Sequence, residues 1–149
     1  MIFSEQQLFS DDQAITADAY STNVIDLGAP GTPYGGAAAL TQDIGKGATV
    51  PILVQVTEAF DNLTNLEIKV STGATTALGT TVASQTIALA DLTVGKQMSI
   101  QVLPNDITER YHGLEYDVTG TAPTTGKITA GITMGNQTNT TGPQLEAVM

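Results

Sequence analysis

The chain has 149 residues, with fifteen Asp and Glu against five Lys and Arg, for a formal net charge of -10. That length fits one domain burying about two-thirds of its unfolded surface. The charge leaves no basic stripe for a phosphate backbone or an anionic lipid surface, so neither nucleic acid nor membrane is an expected partner. With one histidine and no cysteine, most catalytic and metal-binding constellations cannot be assembled, and stability has to come from packing.

The start, Met1-Ile2-Phe3-Ser4-Glu5, lacks the basic residues of a secretory signal. No apolar run approaches the roughly 20 residues that span a bilayer. The expectation is a soluble chain made and used without export. Residues 1–21 read as an arm in which Phe3-Ser4-Glu5 is echoed by Phe9-Ser10-Asp11, with apolar residues too sparse for a core, lying over other structure. Thr22 to Leu27 alternates weakly and is β-branched, which predicts a first strand stopped by Gly28. The next stretch, Gly28-Ala29-Pro30-Gly31-Thr32-Pro33-Tyr34-Gly35-Gly36, excludes regular sheet and carries one large side chain, Tyr34.

Val50 to Phe60 puts Ile52, Val54 and Val56 on one face and predicts a central strand. Asp61 to Asn65 is the turn that follows, and Leu66, Ile68 and Val70 then alternate with Glu67 and Lys69 in a half-buried pattern. Ser71 to Thr80 reads as a loop. Thr81 to Leu89 alternates imperfectly, as a bulged or edge strand would. After one helical turn within Ala88 to Leu92, Met98, Ile100 and Val102 mark another strand ending at Pro104. Leu114, Tyr116 and Val118 mark the next, and Ile128, Ala130, Ile132 and Met134 the last, the seven residues from Gly120 to Gly126 suggesting a hairpin between them. Residues 135–149 read as a flexible tail. Seven or eight strands without a βαβ rhythm predict an all-β, antiparallel β-sandwich or barrel over residues 22–134, of which the jelly roll is one solution.

Few groups in this pattern carry chemistry. Gly45-Lys46, Gly95-Lys96 and Gly126-Lys127 lack both the following Ser or Thr and the upstream Gly of a phosphate-binding loop, and read as turns. His112 shares the apolar parity of its strand and reads as a partly buried histidine satisfied by a local hydrogen bond, not as a base or ligand. Asp11-Asp12, Asp61-Asn62 and Asn105-Asp106 with Glu109 are oxygen-rich turns without calcium-loop spacing. Asn62-Leu63-Thr64 and Asn136-Gln137-Thr138 match the glycan acceptor pattern but suit turns. No catalytic residue, cofactor or metal site is expected, and function is sought in surfaces.

Three stretches carry a likeness: Thr22 to Gly28 with its Pro/Gly loop, Asp43-Ile44-Gly45-Lys46-Gly47 leading into Pro51-Ile52-Leu53-Val54, and Glu109-Arg110-Tyr111 running to Lys127-Ile128-Thr129-Ala130-Gly131-Ile132. Together with Val82 to Leu89 they resemble, over about residues 10–134, the cement (decoration) proteins of tailed bacteriophage capsids, in particular those of short-tailed Bordetella phages. The resemblance implies a jelly-roll domain on the outer surface of an icosahedral virion shell. It implies a homodimer near two-fold positions that clamps neighbouring major capsid proteins, is made in the host bacterial cytoplasm, and is not an enzyme. Large apolar groups outside the strand pattern, Phe3, Leu8 and Phe9 in the arm and Pro30, Pro33 and Tyr34 in the loop, are the candidate capsid or dimer contacts. The chief alternative is a receptor- or carbohydrate-binding β-sandwich module of a tail fibre or adhesin, and a hydrolase is a distant third.

Overall fold

The computed structural model of the chain describes residues 3–40 and 47–134. The expected tail after Met134 and the Gly45-Lys46 turn lie outside the described residues. Nine strands follow in order: β1 Leu8–Ala14, β2 Ala19–Tyr20, β3 Ile25–Asp26, β4 Val50–Glu58, β5 Leu63–Gly73, β6 Thr80–Ala88, β7 Gln97–Val102, β8 Tyr111–Gly120 and β9 Lys127–Ile132. Single 3-10 turns stand at Glu5–Gln7, Leu89–Asp91 and Pro104–Asp106, and no α-helix is present among the described residues.

The strands form two antiparallel sheets. One has the order β1-β9-β4-β7, and the other β2-β8-β5-β6 with β3 also paired to β8. Counting β2 and β3 as one interrupted strand gives eight strands in two four-stranded layers, with the first beside the last, which is jelly-roll order. The alternation that predicted the strands is what packs them. Ile52, Val54 and Val56 of β4, Met98, Ile100 and Val102 of β7, and Ile128 and Ala130 of β9 face Leu66, Ile68 and Val70 of β5 and Leu114 and Tyr116 of β8 across the interior. Val118 and Ile132, also expected in the core, are partly buried and pack against it. Each buried branched side chain contributes about 1.5–3 kcal/mol, against about 0–1 for a surface ion pair such as Lys69 with Asp117 at 2.7 Å, so packing holds the sandwich together.

Three sequence expectations are corrected. The arm over residues 1–21 is not an appendage, because β1 pairs with β9 and places Phe9 and Ile15 in the core, both wholly buried. The alternation of β1 is masked by register shifts between Leu8 and Ser10 and between Ser10 and Gln13, where Asp12 takes a positive φ of 46°. Second, β8 and β9 are not a hairpin: β8 pairs with β5, β9 with β4 and β1, and the segment between them crosses from one sheet to the other. A short connection fits either geometry, and here the core decides. Gly126, at φ 134°, lies so closely against Phe60 that a Cβ there would collide with its ring. Third, the first strand expected over Thr22 to Leu27 contracts to Ile25–Asp26, while Ala19–Tyr20 pairs with β8 earlier. Between them Ser21 Oγ accepts from the Leu114 amide and donates to the Asn23 carbonyl, supplying side-chain bonds where the ladder lapses.

The edge reading of Thr81 to Leu89 holds. β6 pairs with β5 alone, and a register shift between Val70 and Ser71 accounts for its imperfect alternation. Loop 74–79 makes β5 and β6 a hairpin. Part of the arm does lie over other structure. Phe3 and the Glu5–Gln7 turn cross the outer face of the β1-β9-β4-β7 sheet at Gly131, where a Cβ would stand 2.9 Å from the Gln7 carbonyl and 3.0 Å from Phe3. Leu53, the cross-strand neighbour of Gly131, is thereby shut off from solvent although it points away from the sandwich interior.

Candidate functional site

At one end of the sandwich the layers part. The end of β3, the start of β4, the end of β7 with the Pro104–Asp106 turn, the start of β8 and the end of β9 surround a cavity of about 330 Å³ lined by Leu27, Val50, Ile52, Val102, Leu103, Pro104, Ile107, His112 and Ile132. Eight of these side chains are apolar. His112 is the ninth, and its surroundings explain its state. Nδ1 lies 3.3 Å from the Ser71 carbonyl, which can only accept, so Nδ1 carries the proton and Nε2 is the acceptor. Phe9 meets the imidazole edge-on at 5.1 Å between centroids. Burial lowers the histidine's pKa, opposed in part by the Ser71 bond, so the ring is neutral near pH 7. A satisfied histidine on the apolar side is what the parity of the strand predicted.

Around this end stand an ion pair and a loop. Arg110 grips Asp26 with two bonds of 2.7 Å, Nε to one carboxylate oxygen and a terminal nitrogen to the other, and its guanidinium lies 5.0 Å from the centre of the Tyr111 ring. The Arg110 bonds, then the Gly28 amide, pull the Asp26 pKa down to about 2. This clamp fixes the point from which the loop leaves. Residues 29–40 are all exposed, and Tyr34 stands wholly in solvent. The loop is tied to itself, with the Leu40 amide donating to the Gly31 carbonyl and the Gly36 amide to that of Pro33.

The structure thus sorts the six candidate contact residues. Pro30, Pro33 and Tyr34 are exposed together on the loop. Leu8 is half-buried and pairs with Gly131, next to the cavity residue Ile132, and half-buried Phe3 lies over Gly131 from outside. Phe9 is corrected: its side chain is sealed in the core against His112 and offers no surface. The cavity itself was missed, because its lining comes from the ends of five elements far apart in sequence, and no local pattern marks it.

Two of the oxygen-rich turns have structural partners, whereas in the third the Asn105 Oδ1 is buried without a hydrogen-bond partner among the described residues. The Asp12 carboxylate accepts from Thr57 and Lys127, and Asp61 accepts from the amides of Thr124 and Thr125 and from the Thr124 hydroxyl. These bonds, Thr57 first for Asp12 and the Thr124 hydroxyl first for Asp61, hold both pKa values below the ordinary carboxylate range. Among the described residues no three of His, Cys, Asp and Glu gather as a metal site would require, and no helix is long and apolar enough to cross a membrane.

Fold and site together define a two-layer β-sandwich with a preformed apolar cavity and an exposed aromatic loop at one end. The chain matches the Bbp16 family over residues 9–132 and belongs to that family, which is of Bordetella-phage type. The match spans the sandwich from β1 to β9. No curated protein matches the chain.

Proposed function

We propose that this chain is a structural protein of a phage virion, a cement protein that binds the outside of the assembled icosahedral shell and clamps neighbouring major capsid proteins. Membership of the Bbp16 family across the whole sandwich is the observation that carries this reading. The exposed loop 29–40 with Tyr34, beside an apolar cavity, supports it as a surface that gains by being covered. The chain acts without catalysis, as a homodimer on the outer surface of the virion after synthesis in the host bacterial cytoplasm, and touches neither nucleic acid nor membrane. A ligand that binds the assembled shell but not separated subunits shifts assembly by its differential affinity, repeated at every site.

The test compares purified shells with and without the protein under heating or internal pressure. Binding together with a higher rupture threshold is the expected outcome. If the chain neither binds shells nor raises that threshold, the cement reading fails, and screening for a receptor or glycan becomes the next experiment.

A further inference from the structure

We infer that the cavity at the open end is a socket for one aromatic side chain of the capsid partner, a tyrosine or tryptophan whose hydroxyl or indole N–H donates to His112. The identity of the partner rests on the cement reading; the chemistry of the socket does not. At about 330 Å³ the space accommodates a phenol or an indole, and Leu27, Val50, Ile52, Val102 and Ile107 give such a ring apolar walls. Among the described residues the only polar side chain in the wall is the imidazole. With its Nδ1 proton committed to the Ser71 carbonyl, the ring has one acceptor, Nε2, left to offer. An apolar occupant such as Phe or Leu would desolvate that acceptor without giving it a donor, whereas a ring bearing a single donor satisfies it.

The surroundings of the mouth favour a protein over a free small molecule. Of the six large apolar side chains that stand exposed among the described residues, four are borne on this end or on chain leaving it. Leu27 is in the wall itself, Tyr34 and Leu40 are on the loop that begins beside it, and Met134 is two residues beyond Ile132. A small ligand would fill the cavity and leave Tyr34, Leu40 and Met134 uncovered. A protein face covers them around a central anchor, the arrangement in which buried aromatic residues dominate binding.

The experiment titrates the full chain with p-cresol, which carries the tyrosine ring and its donor, and with 4-methylanisole, its donor-less methyl ether, following by NMR the His112 ring signals where that residue is present and the methyl signals of Val50, Ile52 and Val102 in every variant. Saturable p-cresol binding, about tenfold tighter than that of the ether, is expected, with the preference lost in His112→Phe and binding lost in Ile107→Trp, which fills the mouth from a half-buried rim position. Equal affinities, no saturation, or undiminished binding in a folded Ile107→Trp chain overturns the socket. A second arm uses shells. If the wild-type chain attaches and folded Ile107→Trp attaches equally well, the anchor is refuted while the cement reading stands. If the wild-type chain does not attach, the cement reading fails, and with it the partner, while p-cresol still decides the socket. Concentration-dependent perturbation of His112 that disappears in Tyr34→Ala would identify the occupant as a second copy and overturn the assignment to the capsid protein.

Discussion

Replacing Phe9 by alanine separates two roles that its place near the start of the chain leaves open. On the surface, the side chain would contribute to attachment and little to folding. In the structure it is wholly buried, packed edge-on against His112 in an interior made by both sheets. Truncating a buried phenylalanine costs about 3–5 kcal/mol through lost transfer energy and the cavity left behind. The edge-on aromatic contact contributes about 0.5–1.5 kcal/mol of that kind of loss. A value of about 4 kcal/mol is therefore expected, a large share of the roughly 5–15 kcal/mol that stabilises a domain. For a chain of this size it corresponds to a fall in melting temperature of about 8–16 °C. Urea unfolding followed by far-ultraviolet circular dichroism measures it, since the chain has no Trp. The transition should move to lower urea with an unchanged slope. A loss below about 1 kcal/mol, accompanied by weaker attachment to shells, would refute the placement of Phe9 in the core.

Other predictions probe different parts of the molecule. Gly126→Ala should destabilise by about 2 kcal/mol or more, read as a lower melting temperature, because its Cβ would meet the Phe60 ring at a backbone angle unfavourable for any side chain. Tyr116→Phe should cost only about 1 kcal/mol in urea unfolding, since it breaks a 2.8 Å bond between the two sheets while Ser10 keeps Gln13 at 2.6 Å as a partner. The Asp26 carboxyl should titrate near 2 by NMR and move up toward the ordinary carboxylate range in Arg110→Gln. Because its folded pKa is depressed, the stability it lends is present above the unfolded value and lost as pH falls toward 2, and an Asp26 midpoint unaffected by Arg110→Gln would show that the clamp does not form.

The strands that sequence displays best are those buried on one face with unbroken alternation, such as Leu66, Ile68 and Val70 on β5 or Leu114 and Tyr116 on β8. β1 hides because two register shifts scramble its alternation and Asp11-Asp12 fills its middle, so its contribution shows only once β9 is beside it. Pairing is harder to read than existence. Nothing between Gly120 and Gly126 tells a hairpin from a crossing between layers, because the choice is made by what β4 and β5 offer on either side. The loop with Tyr34 was legible from its prolines and glycines, whereas the cavity beside it exists only where five strand ends converge.

The pairing of β1 with β9 also sets a schedule. Among the described residues almost every strand partner is remote in sequence, β5 and β6 forming the one local hairpin, and such topologies nucleate slowly because loops must close before contacts reward them. Leu8 has no ladder neighbour until Gly131 is in place, and Phe9 reaches His112 only across the joined layers. The hairpin of β5 and β6 can form as soon as it is synthesised, but the end that bears the cavity is closed by β9 from one side and by the start of β8 from the other. A chain interrupted before β9 therefore presents an open sheet edge and a bare Phe9 instead of a closed sandwich, a species prone to aggregation and proteolysis.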